Sequence, residues 1–503
     1  MAELAELAEL VDGECARGAT VSGVTSDSRQ VAPGILFAAV PGQHVHGARF
    51  AAGAIAAGAA AVVTDPEGAE IIESLTGVDV PLLVVPNVSS RLGEIAAEIY
   101  GNPADRLRTF AITGTNGKTT TTFLLEHILA ELGRVTGLIG TVSLRLAGHE
   151  IPAAMTTPMP ADFQRLLADL VCRGGTDLVI EASSHALAQG RTDPVRFDVA
   201  GFTNLTQDHL DFHNSFDEYF AAKASLFTAR RCRRAVICVD DEWGRRLVDL
   251  AVGELGPTNV TALALSSALP KGVTGWKVAA QAGANSTRIL MESTAGERIE
   301  LSTALPGAFN VANVSLAAAM AVAAGISPAD IPTNVSPAVP GRMEVISEEP
   351  RVVVDFAHNT DALVKAMEAL RETTRGRLVV VTGSAGERDK GKRPAMGEAV
   401  ARHADVAIIT DDDPHSEDPA AIRRDVLAGT VGIGTPVEEI ADRAEAIRVA
   451  ISGARPDDTI LLAGRGHETI QEVGEEQIEL DDRVEARRAL ADRAVRISQE
   501  KNV

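Results

Sequence analysis

TFAITGTNGKTT, residues 109–120, is the stretch on which the fold turns. The short apolar run 109–113 reads as a buried strand. It leads into Gly114-Thr115-Asn116-Gly117-Lys118-Thr119-Thr120, and a helical pattern follows, with Leu124, Leu125, Ile128 and Leu129 on one face. Glycines let such a loop curl so that its amides point at phosphate oxygens, and the helix N-terminus adds a partial positive charge. Lys118 then reaches the β- and γ-phosphates, and the Thr119 hydroxyl can ligate Mg²⁺. The strict G-x-x-x-x-G-K-[ST] pattern is not met, because Ile112 stands where the first glycine belongs. The loop is a variant, and the strand–loop–helix context separates it from a coincidental turn.

Working outward, two punctuated stretches break the chain. One is Tyr100-Gly101-Asn102-Pro103-Ala104-Asp105, and the other is Pro337-Ala338-Val339-Pro340-Gly341. Gly and Pro there stop any continuing helix. Three segments follow, 1–104, 105–338 and 339–503, each alternating short apolar runs with longer amphipathic ones. That alternation predicts α/β layers. Further strands are predicted at 178–181, 199–203 and 235–239, and in the third segment at 352–356, 378–382, 406–410 and 459–462. Nearly every one runs into a polar cluster at its carboxyl end, where open parallel sheets hold their ligands.

Two of those clusters flank the phosphate loop. Glu181 ends one strand, in EASSH, and another leads into NLTQDHLD at 204–211. Carboxylate and imidazole groups on neighbouring strand ends can hold Mg²⁺ against phosphates. His209 taken alone reads more readily as a structural histidine, and its place beside the phosphate loop reverses that preference. Lys223 lies on a helix just beyond, in a chain with 8 lysines against 39 arginines.

Composition narrows the class. With 45% apolar and 23% charged residues the chain builds ordinary cores. A formal charge of −22 argues against general binding to nucleic acid or anionic membranes. Cys15, Cys172, Cys232 and Cys238 lack zinc-site spacing and read as reduced thiols. MAELAELAEL carries three glutamates and no basic region, so it does not read as a secretory signal. No apolar run reaches the roughly 18–20 residues that span a membrane. The expected compartment is the cytoplasm.

GTNGKTT at 114–120, EASSH at 181–185, FTNLTQDHLDFH at 202–213 and the Lys223 region resemble the central domain of the Mur ligases. The resemblance is strongest to the branch that adds the third peptide residue, and it runs in order along the chain. It takes in TSDSR at 25–29, GAFNVAN at 307–313, PGRME at 340–344, DFAHN at 355–359, ERDKGKRPAMG at 387–397, DDDPHSEDP at 411–419, GRGHE at 464–468 and DDR at 481–483. It implies an α/β fold of three domains. A central P-loop nucleotide-binding parallel sheet would be flanked by a UDP-binding N-terminal domain and a Rossmann-like C-terminal domain that binds the amino acid.

The resemblance also implies roles. Gly114 to Thr120, Asn310, Arg342 and Asp355 would contact ATP. Thr119, Glu181 and His209 would serve magnesium. Lys223 would be carbamylated by CO₂, turning an ammonium into an anion able to ligate a second Mg²⁺. Ser28, with the turn at Gln43 and His44, would meet the uridine nucleotide, although that turn departs from the usual His-Gln-Ala. Thr156, Thr157, Ser183, Gln189 and Arg191 would hold the muramyl-dipeptide. Arg393, the loop Asp412-Asp413-Pro414-His415, Gly464 and Glu468 would bind the incoming amino acid. Phe356 and Asn359 stand where the family usually has Tyr and Thr.

The implied reaction is ATP-dependent addition of a third amino acid to UDP-N-acetylmuramoyl-L-alanyl-D-glutamate through an acyl phosphate. Members that take meso-diaminopimelate carry Asp-Asn-Pro-Arg in the recognition loop, whose arginine grips the distal carboxylate. Here His415 replaces that arginine among several acids, so L-lysine, or a similar basic diamino acid such as L-ornithine, is expected, with meso-diaminopimelate the alternative. More distant alternatives are a ligase like folylpolyglutamate synthetase and a non-catalytic nucleotide-binding scaffold.

Overall fold

The computed structural model describes residues 1–501 apart from 43, 76–78, 152–154 and 284–285. Three large sheets divide the chain. The first has five strands in the order Glu14–Cys15, Leu82–Val84, Ala61–Thr64, Ile35–Ala39 and Gly23–Thr25, all parallel except the first. Helix Val88–Ile99 covers one face and ends at the first punctuated stretch. Pro103 there opens a short 3₁₀ turn, Pro103–Arg106.

The central sheet has eleven strands, seven of them mutually parallel: Thr136–Ile139, Asp177–Glu181, Arg108–Thr113, Phe197–Phe202, Cys232–Cys238, Val260–Ala264 and Thr274–Ala282. Helices cover both faces, which is why the inner strands read as unbroken apolar runs. Phe110 and Ile112 pack with Leu124, Leu125, Ile128 and Leu129 of helix Lys118–Glu131 and with helix Ala308–Ala323. Ala111 faces the other way, toward helices Pro160–Cys172, Phe216–Ala224 and Glu242–Leu255. The expectation of a parallel sheet needs enlargement, because antiparallel strands extend both edges. They are Leu144–Leu146 with His149–Ile151, and Thr287–Ser293 with Arg298–Thr303. Trp276 and Val278, Ile289 and Met291, and Ile299 and Leu301 are buried two residues apart, the alternation that an edge strand with one dry face requires.

The third sheet is ordered Glu344–Glu348, Arg351–Asp355, Thr459–Ala463, Leu378–Thr382, Val406–Ile409 and Val437–Glu439, with only the first strand antiparallel. Cores lie on both of its faces. The predicted strands are present, each within three residues at either end. All four cysteines are free. Among the described residues no helix is long and apolar enough to cross a membrane.

Candidate active site

The carboxyl ends of the central and C-terminal sheets face one cleft of about 1320 Å³. The phosphate loop forms its floor. Gly114 has φ of +147°, and a Cβ there would sit 1.8 Å from Thr203 Oγ1; Gly117 has φ of +88°, and its Cβ would sit 2.4 Å from Asn313 Oδ1. Only glycine fits either position. Asn116 N donates to Asn204 Oδ1 at 3.0 Å, and Thr203 Oγ1 donates to Asn116 O at 2.7 Å, so the next strand end fixes the curl. Thr115 Oγ1 lies 3.1 Å from the Tyr219 hydroxyl, and Thr120 is buried at the cleft floor. Lys118 Nζ donates to Gly114 O at 3.0 Å and Thr115 O at 2.8 Å. Burial holds its ammonium below the usual lysine range, against the opposing pull of Glu181 and Asp208.

Glu181 is fully buried, and among the described residues its carboxylate accepts from neutral donors alone: Thr119 Oγ1 at 3.0 Å, Thr141 N at 2.9 Å and Thr141 Oγ1 at 3.2 Å. Beside it His209 is pushed down to about 3, chiefly by burial, with Asp208 pulling the other way. It is therefore a neutral imidazole, the form that ligates metals. A hydroxyl, a carboxylate and a neutral imidazole lining one cleft are donors of the kind that suit a divalent cation. Lys223 is 1% exposed, donates to Gly114 O at 2.7 Å and stands over the Tyr219 ring at 4.4 Å. Among the described residues no carboxylate pairs with it. Burial, then the charge of Lys118, holds it well below the usual lysine range.

Thr156, Thr157, Ser183 and Arg191 line the same cleft. Thr157 Oγ1 donates to Glu181 O at 2.8 Å, and Arg191 donates to Thr157 O at 3.1 Å and to Gln189 Oε1 at 2.9 Å. Gln189 thus orients Arg191. Ser28 lies away from the cleft lining, in the 3₁₀ turn Ser28–Gln30 of the N-terminal sheet, and His44 is exposed. Gln43 lies outside the described residues.

Asn310, Arg342 and Asp355 border the phosphate loop. Arg342 reaches Thr119 Oγ1 at 3.4 Å and lies over the Phe356 ring at 4.1 Å. Asp355 accepts from Met343 N at 2.7 Å, and burial raises its carboxyl above the ordinary range.

At the far end Asp412, Asp413, His415, Gly464 and Glu468 line the cleft, with Pro414 buried behind them. Burial, then Asp412, pushes Glu468 up to about 8. Arg393 does not join them. It is 1% exposed, and its guanidinium is held by Glu417 at 3.1 Å and Asp425 at 3.1 Å. In this structure two carboxylates hold its terminal nitrogens, and Arg393 is not part of the cleft lining where the expectation placed it. Arg388 and Lys392 of the same motif line the cleft instead. Sequence reading quoted that motif, and only the direction of each side chain shows which of its cations reach the cleft lining.

Sequence reading also passed over the contacts that join the two domains. Asp208 is buried in the central domain and takes three groups from the C-terminal domain: His358 Nε2 at 3.4 Å, Asn359 Nδ2 at 3.4 Å and Lys392 Nζ at 3.8 Å. Burial opposes its ionisation, yet His358 and its neighbours hold the carboxyl well below the usual range. Asn359 caps helix Thr360–Arg371 with its oxygen and reaches across with its amide nitrogen. A threonine could cap equally but has no amide to make the bridge, which gives the departure at 359 a consequence.

Comparison with known proteins agrees with this geometry. Residues 20–100 match the Mur ligase family catalytic domain, 112–321 the Mur ligase middle domain, and 341–466 the Mur ligase glutamate ligase domain. The chain is 43% identical over 497 residues to the UDP-N-acetylmuramoyl-L-alanyl-D-glutamate–2,6-diaminopimelate ligase of Streptomyces coelicolor, covering 97% of this chain and 96% of that one. It is 44% identical to the ligase of the same name from Corynebacterium glutamicum, covering 91% and 89%. A solved structure of a ligase of that name is 31% identical, with a TM-score of 0.63, covering 94% of this chain and 95% of that one.

Proposed function

The chain belongs to the Mur ligase family, and we propose that within it this protein adds meso-2,6-diaminopimelate, as the third residue, to UDP-N-acetylmuramoyl-L-alanyl-D-glutamate. It is an ATP-dependent ligase that forms an amide bond in the synthesis of the peptidoglycan precursor. The observation that carries the finer reading is the convergence on one cleft of the phosphate loop, the buried Lys223 and the 412–415 loop.

A carboxylate is a poor acyl donor at neutral pH. In this reading ATP converts the γ-carboxylate of D-Glu into an acyl phosphate. The free amine of the third residue attacks it, and a tetrahedral intermediate collapses to amide and phosphate. Lys118 swings from its own loop carbonyls onto the phosphates, and positioning with charge neutralisation carries most of the rate. Thr119, Glu181 and His209 would hold magnesium, which supplies charge neutralisation to the phosphate oxygens when bound. The unprotonated amine of Lys223 would add to the carbon of CO₂ and lose a proton, giving a carbamate anion on the cation side of the cleft. Arg191, Thr156, Thr157 and Ser183 would position the muramyl-dipeptide, with Gln189 orienting Arg191. Asn310, Arg342 and Asp355 would flank the nucleotide. Residues 1–104 would carry the uridine site through Ser28 and the turn at His44, 105–338 the ATP site, and 339–503 the amino-acid site. Dependence on ATP puts the reaction in the cytoplasm.

The expectation of L-lysine gives way to the alternative. Relatives 41–44% identical over nearly the whole chain are named for 2,6-diaminopimelate. The sequence argument turned on His415 standing in place of the recognition arginine, whereas Arg388 also lines the cleft and could meet a distal carboxylate. The match of residues 20–100 to a Mur ligase domain weighs against the folylpolyglutamate synthetase alternative. The test is phosphate release with ATP, UDP-N-acetylmuramoyl-L-alanyl-D-glutamate and each of meso-diaminopimelate, L-lysine and L-ornithine. Release that is strongest with meso-diaminopimelate is expected. Absence of phosphate release with every one of the three amino acids would return the protein to the scaffold alternative.

A further inference from the structure

The loop that carries His415 is clamped by a two-stranded hairpin, Ile470–Val473 with Glu476–Glu479. Gln471 Nε2 donates to Asp412 O at 2.6 Å, Glu472 N donates to Asp413 Oδ1 at 3.1 Å, and His415 N donates to Glu472 O at 3.1 Å. The clamp brings two side chains together at the cleft wall. Glu472 Oε2 lies 3.0 Å from His415 Nδ1, and both residues line the cleft. Glu472 keeps 47% of its side chain exposed, so its carboxylate is available to a ligand.

Two features set the chemistry of this corner. In the tautomer that donates Nδ1–H to Glu472, the Nε2 of His415 presents a lone pair. It accepts from an ammonium and has nothing to offer a carboxylate. Behind the pair, acidic oxygens of Asp412, Asp413 and Glu468 lie within 4.8 Å of one another. One buried guanidinium, Arg465, serves all three: it pairs with Asp413 and stands 3.8 Å from Asp412 and 3.9 Å from Glu468. Arg465 and Arg443 together offset these buried acids, so the negative charge that a ligand cation would meet at this corner is the exposed carboxylate of Glu472.

We propose that Glu472, with His415, anchors the distal ammonium of the incoming amino acid, and that this chain therefore selects diamino acids by their second amine more than by a distal carboxylate. The inference rests on the proposed third-residue reaction and sharpens it. L-Lysine carries the anchored group and is used alongside meso-diaminopimelate, while Arg388 is left to meet a distal carboxylate where one is present. Glu472 is thus a specificity-determining residue on a hairpin outside the motifs that mark the family.

The experiment uses the full-length enzyme with ATP and UDP-N-acetylmuramoyl-L-alanyl-D-glutamate, and three amino acids. Meso-diaminopimelate has both distal groups, L-lysine only the ammonium, and L-2-aminopimelate only the carboxylate. The expected kcat/KM for L-lysine lies within about tenfold of that for meso-diaminopimelate, with L-2-aminopimelate at least about a hundredfold poorer, the range a lost charge-assisted pairing gives. Glu472→Gln raises KM for both diamino acids about tenfold with little change in kcat, leaves L-2-aminopimelate unaffected, and is partly rescued by Glu472→Asp. Use of L-2-aminopimelate in preference to L-lysine overturns the anchor alone, as does a Glu472→Gln loss equal for all three. Release with none of the three overturns the reading of the reaction and the anchor together.

Discussion

Asp361 Oδ2, at the start of a C-terminal-domain helix, accepts a 3.0 Å hydrogen bond from the side-chain amide of Asn116, in the middle of the phosphate loop. The two residues are 245 positions apart. The C-terminal domain therefore touches the phosphate loop, and Asn359 adds a second bond to Asn116 Oδ1 at 3.2 Å. Asp361→Ala keeps every group assigned to the chemistry and removes one tie across the cleft. A typical hydrogen bond contributes about 1 kcal/mol net. KM for the amino acid should rise roughly fivefold, with binding of the UDP-linked substrate unchanged. Steady-state kinetics check this, and an unchanged KM would mean that the tie does not contribute to closure.

Lys118→Ala should abolish ATP turnover, by roughly a thousandfold, the loss expected on removing one fixed transition-state charge. Binding of UDP-N-acetylmuramoyl-L-alanyl-D-glutamate, read by calorimetry, should be nearly intact, because the expected uridine site lies on a different sheet. Near-normal turnover would take Lys118 out of the mechanism.

Lys223 is buried against a carbonyl oxygen and a ring face, with no carboxylate partner among the described residues. Intact-protein mass spectrometry under bicarbonate should find a labile adduct of one CO₂ at this residue. Lys223→Ala should lower activity about a hundredfold, and short carboxylic acids should restore part of it by supplying the missing anion. A fully active variant with no adduct in the parent would rule the carbamate out.

Glu468 gives a pH prediction with a definite sign. Its folded-state carboxyl is pushed up to about 8, first by burial and then by Asp412, from an ordinary value of 4.5. The folded protein therefore holds this proton more tightly than the unfolded chain. Its contribution to stability is fully present below about pH 4.5 and is lost as pH rises through about 8. Glu468→Gln should unfold at higher temperature than the parent at pH 8.5, and the difference should shrink toward pH 5. Thermal melts across that range test it; parallel curves would show that Glu468 titrates normally.

The phosphate loop, the strand ends and the order of the motifs were legible because each depends on local spacing. A strand, a glycine turn and a helix within twelve residues already specify where phosphate can bind; residues 181 and 209 follow the same strand-end rule, and Lys223 lies on the helix just beyond. The edge strands between 274 and 303 were equally legible, since apolar residues alternate there, but that alternation carries no chemistry and went unread. What the sequence alone determined was therefore the three-layer α/β plan, the nucleotide loop and the family. Only tertiary structure decided which cation of ERDKGKRPAMG faces the cleft, that Asn359 bridges two domains, and that Glu472 stands beside His415. Those relationships are between residues 57 to 243 positions apart, brought together by packing. Arg393 is turned toward Glu417 and Asp425 while Arg388 lines the cleft, and local periodicity holds no record of that difference.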